Sequence, residues 1–346
     1  MSVELIEQIA TRGVFRPRQK FTQLAADHVP FDRLLDQDRF EARALQAISS
    51  DEPVGVVGPR GAGKSSLLAW VCECLPQGYL ALRVPVTGAD RPDDVSVVAA
   101  VALSQALADI ELGREQKEAL ERARADQSSQ QRTPGGLRGG TLGGGPVPFA
   151  VHAELSTLQE QLTTGRLASE RLAGLDRLIS ILTARELQPV FVLEDTEAAI
   201  GGADRPDLAD AFLAGPVRAF VTELETPSLI AIQNVFTESD EFAQLAAGMR
   251  IIEIPALVDN IAHAALDAII VNRLHQFELD AGPRDVIADE MLEPLISFYD
   301  AASNSLRHTL AVLQTAAEYA ADTRAERIGA GHLRAAASDW RGRIGS

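Results

Sequence analysis

Cysteine is nearly absent from the sequence, and so are the spacings that bind zinc. The 346 residues include only two cysteines, Cys72 and Cys74, and positions two apart on a helix point in different directions, so we expect no disulfide between them. Neither a Cys-x-x-Cys pair nor a His-Glu-x-x-His segment occurs. A structural zinc site therefore has no ligand pattern to build on.

Long apolar runs and an excess of basic residues are absent as well. No uninterrupted apolar run reaches the roughly 18 residues of a membrane span. Residues 1–10 carry Glu4 and Glu7 among their apolar positions, which is not the pattern of a signal peptide. We therefore expect a cytoplasmic protein with no membrane partner.

The charge balance is acidic. Lys and Arg number 32 against 49 Asp and Glu, which gives a net charge of -17. This balance argues against a general basic surface that coats nucleic acid, although a local basic face remains open.

What is present fits a folded α/β chain. Hydrophobic residues make up 46% of the sequence and charged residues 23%, close to the globular average. From residue 54 onward, short apolar runs alternate with longer helical stretches, which is typical of a parallel sheet covered on both faces. The predicted strands are 54–57, 79–84, 190–193, 229–232 and 251–254.

The strand signal ends near residue 260, and apolar residues then recur at helical spacing. One predicted helical face carries Leu306, Leu310, Leu313, Ala317 and Ala320. The sequence therefore predicts an amino-terminal arm at 1–29, an α/β core at 30–255 and a small helical domain at 256–346.

The core also contains an insertion at 94–188, which includes a glycine-rich stretch at 126–148. That stretch is either a flexible loop or a hairpin that contacts a partner, and both remain open.

Residues 58–65 match the phosphate-binding pattern G-x-x-x-x-G-K-[ST] without a mismatch. A predicted strand precedes them and a helix follows, so backbone N–H groups converge on phosphate at the positive end of that helix. Lys64 then reaches the β- and γ-phosphates, and the Ser65 hydroxyl binds Mg. We predict ATP and Mg as cofactors. The predicted nucleotide-binding residues are Gly58, Pro59, Arg60, Gly61, Ala62, Gly63, Lys64, Ser65 and Ser66.

An acidic pair, Glu194 and Asp195, follows the third predicted strand. Phosphoryl transfer needs an acid that holds Mg and another that orients the attacking water. We favour Asp195 on Mg and Glu194 on the water, but the reverse is about as plausible. Glu197 is a third candidate, and both acids could instead only solvate the end of the strand.

With the P-loop, the acidic strand end and the helical tail in one order, residues 30–338 resemble an AAA+ ATPase of the initiator and clamp-loader branch. The resemblance implies a parallel five-stranded P-loop sheet between helices, followed by an all-helical lid. It also implies a polar sensor of the γ-phosphate after the fourth strand, for which Asn234 is the candidate. Gln233 and Asn234 could equally only cap that strand.

The resemblance assigns arginines as well. Arg307 matches the arginine that the lid directs at the nucleotide, although the glycine often found nearby is absent and a solvated arginine is the alternative. Members commonly form rings or filaments in which an arginine of one subunit completes the next site. Arg250 is our candidate for that arginine, with Arg218 and Arg205 behind it. A homo-oligomer follows as an expectation, and ordinary surface arginines are the alternative.

Two classes of function stay open. The first is an ATP-hydrolysing, oligomeric AAA+ switch that acts on DNA or a protein effector, with a basic arm that contacts phosphates and stacks on bases. The second is a nucleotide-gated signalling or scaffold NTPase, STAND-like, with a defence or regulatory role, slow turnover and no nucleic-acid contact. The Glu-Asp order favours it, and the chain resembles the NTPases of bacterial conflict systems at least as well. A small-molecule kinase is a weaker third hypothesis. The arm residues in question are Arg12, Phe15, Arg16, Arg18, Lys20 and Phe21.

Overall fold

The structure is a computed structural model. It describes residues 2–18, 20–31, 39–85, 176, 179–180, 182–184, 186–194, 206–224, 226–254, 257, 259–302 and 305–344. Nearly all of the predicted insertion at 94–188, with its glycine-rich stretch at 126–148, lies outside these residues.

Five strands form one parallel sheet in the order β2-β3-β4-β1-β5. The α/β prediction is confirmed, and the strands lie within two residues of their predicted bounds. The strands are β1 Val54–Gly58, β2 Tyr79–Pro85, β3 Gln188–Glu194, β4 Ser228–Gln233 and β5 Arg250–Glu253.

Helices cover both faces of the sheet, and most of the other described residues are helical. The helices are α1 Ser2–Arg12, α2 Phe21–Asp27, α3 Phe40–Ser49, α4 Lys64–Glu73, α5 Pro206–Phe212, α6 Asp240–Ala246, α7 Asp259–Gln276, α8 Pro283–Val286, α9 Leu292–Ala301, α10 Leu306–Asp322 and α11 Ala330–Ile344. Two π-helical turns, Leu213–Val217 and Ala219–Glu223, extend α5, and short 3-10 turns lie at Asn234–Glu238 and Asp289–Met291.

Alternation along the strands sends successive side chains to opposite faces. On β4, Ile230 and Ile232 enter a core with α5 and its π-helical extension. Leu229 and Ala231 enter the other core, with α3 and α4. Because both faces are covered, the strands read as continuous apolar runs, which is why the sequence revealed them.

Helices α7 to α11 form a third core, and we call them the helical lid. The predicted apolar face of α10 is confirmed, since Leu310, Leu313, Ala317 and Ala320 are buried there. Helix α1 packs against α10 and places Ile6 and Ile9 in the same core. The amino-terminal segment is therefore built into the lid, and the chain then runs on to α2 beside the sheet.

Candidate functional site: a phosphate-binding loop beneath the lid

The phosphate-binding loop joins β1 to α4, as predicted. Gly61 and Gly63 have φ angles of 78° and 102°, which side chains with a Cβ rarely adopt. Lys64 is buried, and its Nζ donates to the carbonyl oxygens of Gly58 at 2.9 Å and Pro59 at 2.8 Å. The loop thus holds an ammonium group against its own carbonyls, with the amino end of α4 beside it.

A cleft lies between this loop, the lid and the segment that leads out of α2. Ser65 and Ser66 line it from α4, and Arg307 lines it from the first turn of α10, where the side chain is exposed. Of the predicted nucleotide-binding residues, those at positions 61–66 and Arg307 line this one cleft. Its apolar lining is Leu24, Val29, Phe31, Ala231, Leu257, Ile269, Leu306 and Leu310.

The amino end of α10 lies directly over the loop. Ser305 caps this helix by accepting a hydrogen bond from the His308 N–H at 3.4 Å. A Cβ placed on Gly61 would lie 2.3 Å from Ser305 Oγ, far inside van der Waals contact. The lid therefore closes on the loop only because position 61 is glycine, and α10 adds a second positive helix end to the cleft.

Three charged residues also line the cleft. Asp27 of α2 pairs with Arg273 of α7 at 2.9 Å and with Arg18 at 3.2 Å. Burial raises the pKa of Asp27, with the two arginines acting in the opposite sense. Burial also lowers the pKa of Arg273, against the attraction of Asp27. This cluster ties α2, α7 and the segment after α1 together.

The acid at the end of β3 is present but paired. Glu194 is buried, and its carboxylate accepts a hydrogen bond from Arg83 near the end of β2. The same guanidinium stacks 4.1 Å from the centre of the Phe21 ring. Strand β4 separates β3 from β1, so Glu194 lies two strands away from the loop. Asp195 and Glu197 lie outside the described residues.

The two amides after β4 differ in their surroundings. Gln233 is buried, ends β4 and aligns with Gly58 of β1. By strand alternation it shares a face with Ala231, which lines the cleft. Asn234 is exposed and begins the 3-10 turn. The structure therefore brings Gln233 toward the loop, whereas the sequence hypothesis chose its neighbour.

No family model matches the sequence, and no curated protein matches it. Among solved structures, the ORC1 protein of Aeropyrum pernix in complex with DNA has a TM-score of 0.50 at 16% identity, over 90% of this chain and 66% of that one. The ORC2 protein of Aeropyrum pernix in ADPNP–ADP complexes has a TM-score of 0.52 at 14% identity, over 95% and 71%. Both are archaeal AAA+ proteins.

The chain has the AAA+ fold. At these identities the likeness shows the fold alone, and the chain spans about two thirds of the ORC1 structure's length. No described helix is both long and apolar enough to cross a membrane.

Within this AAA+ fold, the arginines proposed to act on a neighbouring subunit are already paired. Arg250 is half exposed and contacts Glu52 at 3.0 Å. It begins β5 and pairs with Val54, the first residue of β1. Arg250 therefore lies at the amino-terminal ends of the parallel strands, whereas the loop follows the carboxyl-terminal end of β1. Arg218 contacts Glu241 at 2.6 Å, and Arg205 lies outside the described residues. Arg250 is thus placed away from the loop of its own chain.

The arm does not present aromatic rings to solvent. Phe15 lies fully buried in the lid core, and Phe21 is buried against α4. Neither ring is available to stack on bases. Arg16 pairs with Glu318, while Arg12 and Arg18 lie over the Phe277 ring, so much of the predicted basic arm is engaged within the molecule.

A buried pair beside the loop was not found from the sequence. His28 Nε2 lies 2.8 Å from Glu41 Oε1, and both side chains are almost fully buried. Burial favours a raised pKa for Glu41, but hydrogen bonds from His28 and from the Phe31 N–H hold that pKa below its usual 4.5. Glu41 and His28 follow no motif spacing, and they meet because α2 and α3 both pack against α4.

Proposed function

We propose that this chain binds and hydrolyses Mg-ATP in the cytoplasm and works as an oligomeric AAA+ switch on a nucleic-acid or protein partner. The observation that carries the proposal is the phosphate-binding loop with its buried Lys64, facing a cleft that the lid covers with Arg307. Nucleotide bound there contacts core and lid at once, so its state biases their relative position.

The cleft fits a nucleoside triphosphate. The left-handed backbone at Gly61 and Gly63 and the amino end of α4 supply N–H donors for phosphate oxygens. Lys64 has three donors, and on binding we expect it to leave the Gly58 and Pro59 carbonyls for the β- and γ-phosphates. Arg307 adds charge from the lid side, and the apolar lining offers a surface for the base.

For the metal, the Ser65 hydroxyl lines the cleft and is the first ligand we propose. Glu194 or Asp195 supplies the second, directly or through water. Bound Mg would offset phosphate charge. Among the described residues Glu194 is held by Arg83, so this acid acts on metal or water only when that pair opens. We also propose Gln233, rather than Asn234, as the polar side chain near the γ-phosphate.

A second function, the slow nucleotide-gated signalling module, is favoured by the same ion pair. A carboxylate neutralised by an arginine is a poor base and a poor metal ligand. In that case ATP holds the molecule in one state and turnover is incidental. The burial of Phe15 and Phe21 also removes one argument for direct contact with nucleic acid.

Lys64→Ala tests the site. We expect ATP affinity, measured by titration calorimetry, to fall at least about a hundredfold because a charged contact to phosphate is lost. Lys20→Ala, which removes an exposed lysine, is the matched control and should bind as the wild type does. Unchanged affinity in Lys64→Ala would show that nucleotide does not bind at this loop.

Phosphate release separates the two functions. For the hydrolysing switch, Glu194→Gln with Asp195→Asn should keep ATP bound and stop turnover. For the slow module, the wild type turns over slowly, and Arg83→Ala should raise its rate by freeing Glu194. A rapid wild type that Arg83→Ala slows would discard the slow module.

A further inference from the structure

A series of polar contacts, buried at Glu41 and His28 and partly buried at Ser66, connects α3 to the phosphate-binding loop. We propose that Glu41 and His28 are positioning residues: they hold the Ser66 hydroxyl, which fixes the Gly63–Lys64 peptide in the orientation that binds phosphate. The inference rests on the proposed nucleotide binding at this loop and adds two residues outside its sequence motif.

Glu41 anchors the chain from α3. Its Oε1 accepts two hydrogen bonds, from the Phe31 N–H at 2.7 Å and from His28 Nε2 at 2.8 Å. A carboxylate buried this deeply requires such partners. Glu41 therefore connects two groups: the imidazole of His28 and the backbone of the segment that follows α2.

His28 ends α2 as its carboxyl-terminal cap. Its ring is packed between Phe31 and Trp70, with ring centres 5.7 Å and 5.9 Å away. With Nε2 directed at Glu41, Nδ1 faces Ser66 Oγ at 3.4 Å. The ring lines the nucleotide cleft, and its packing leaves it one orientation toward α4.

Ser66 transmits this constraint to the loop. Its hydroxyl donates to the Gly63 carbonyl oxygen at 2.8 Å, and that oxygen also accepts the N–H groups of Ser66 and Leu67 at 3.0 Å each. A trans peptide is planar, so its C=O and N–H point in opposite directions. Holding the Gly63 oxygen on the helix side therefore aims the Lys64 N–H into the loop.

The single hydroxyl proton of Ser66 supports this order of hydrogen bonds. Ser66 has one hydroxyl proton, and the Gly63 oxygen, which can only accept, lies nearer to Ser66 Oγ than His28 Nδ1 does. The lone pairs of Ser66 Oγ then face Nδ1, which suits an N–H donor there.

A double-mutant cycle on ATP affinity tests the proposal, using His28→Gln, Ser66→Ala and the pair. We expect each single change to weaken binding about three- to tenfold, the scale of one hydrogen bond. The double variant should bind ATP no more weakly than the single variant with the lower affinity, because His28 acts through Ser66. In a Ser66→Thr background, which keeps the hydroxyl, His28→Gln should again cost about three- to tenfold.

A packing role for His28 would give a different result, with equal losses whether or not residue 66 has a hydroxyl, and this additivity would overturn the proposal. Wild-type affinity in His28→Gln would also overturn it.

Thermal unfolding of each variant identifies any that fails to fold, and Glu41→Gln, which keeps the side-chain shape, then replaces His28→Gln in the cycle. Wild-type protein and Lys64→Ala run alongside. Failure of the wild type to bind ATP refutes the nucleotide site itself, whereas additive losses in a protein that binds ATP refute only the positioning role.

Discussion

Glu41 shows how a single buried carboxylate shapes stability. Its pKa lies below 4.5 in the folded chain, because hydrogen bonds from His28 and Phe31 outweigh the effect of burial. A lowered folded-state pKa means that the ionised form stabilises the fold. That contribution is present above the unfolded-state pKa and is lost as the pH falls through the folded-state value.

We therefore predict that Glu41→Gln is less stable than the wild type by about 2 kcal/mol at pH 7. The difference should shrink as the pH falls below 4.5 toward the lower folded-state pKa, at which the folded wild-type carboxyl takes up its proton. Urea unfolding at pH 7 and pH 4 measures both values. Glu7→Gln, at an exposed position, is the control, and a pH-independent gap would contradict the role of the ionised form.

Single residues differed in how far the sequence revealed them. The loop residues 58–65 follow a spacing that the chemistry of phosphate requires, so the sequence predicts each of them by its position in the motif. Our choice of Gln233 over Asn234 rests on which face of β4 meets α4, and the order of the two amides in the sequence does not reveal that. His28 and Glu41 lie 13 residues apart in sequence and meet only in the packed structure, so no local pattern could reveal them.

At the level of elements, the contact between the loop and α10 depends on the absence of a side chain at position 61. We predict that Gly61→Ala weakens ATP binding at least tenfold, because a Cβ there lies 2.3 Å from Ser305 Oγ and the φ of 78° strains alanine. Titration of ATP measures the loss. Gly331→Ala, where a Cβ meets nothing within 4 Å, should bind normally; equal binding by both variants would show that the lid does not rest on the loop.

Helix α1 is an element whose place the sequence did not reveal. Its pattern predicted an arm, whereas Ile6 and Ile9 are fully buried in the lid core. Apolar spacing shows that a helix has a buried face, but it cannot say which surface covers that face. The strands were easier, because a strand buried on both faces is apolar throughout.

We predict that Ile6→Ala costs about 2–4 kcal/mol of unfolding free energy, since it removes a buried side chain and leaves a cavity. Gln8→Ala, on the exposed side of α1, should cost less than about 0.5 kcal/mol. Urea unfolding compares the two. Equal, small effects would mean that α1 does not contribute to the lid core in solution.

At the scale of the whole molecule, the open question is assembly. The net charge of -17 opposes close approach of copies and of DNA except through local basic groups. Light scattering with ATP and Mg, with and without duplex DNA, measures the mass of any complex. Growth with ATP, increased by DNA, supports the nucleic-acid switch, whereas a mass that ignores both favours a signalling module with a protein partner.

Our hypothesis for Arg250 connects assembly to catalysis. Arg250 begins β5 at the amino-terminal ends of the strands, away from its own loop. If Arg250 acts on a nucleotide, that nucleotide must therefore be bound to a neighbouring subunit. Its exposed pair with Glu52 is worth about 1 kcal/mol or less, so an interface can open it cheaply. We predict that Arg250→Ala binds ATP but hydrolyses it at least about a hundredfold more slowly, since transition-state charge is left unmatched.

Mixing two inactive variants decides whether Arg250 acts between subunits. Lys64→Ala has no working site but keeps Arg250, while Arg250→Ala keeps its site. In an equal mixture, half of the Arg250→Ala sites adjoin a neighbour that supplies the arginine, so roughly a quarter of the wild-type rate should return. Arg218→Ala is mixed with Lys64→Ala in the same way. If the hydrolysis rate recovers in that mixture and not in the mixture with Arg250→Ala, the role belongs to Arg218. A mixture no faster than its parts would leave Arg250 as a surface partner of Glu52.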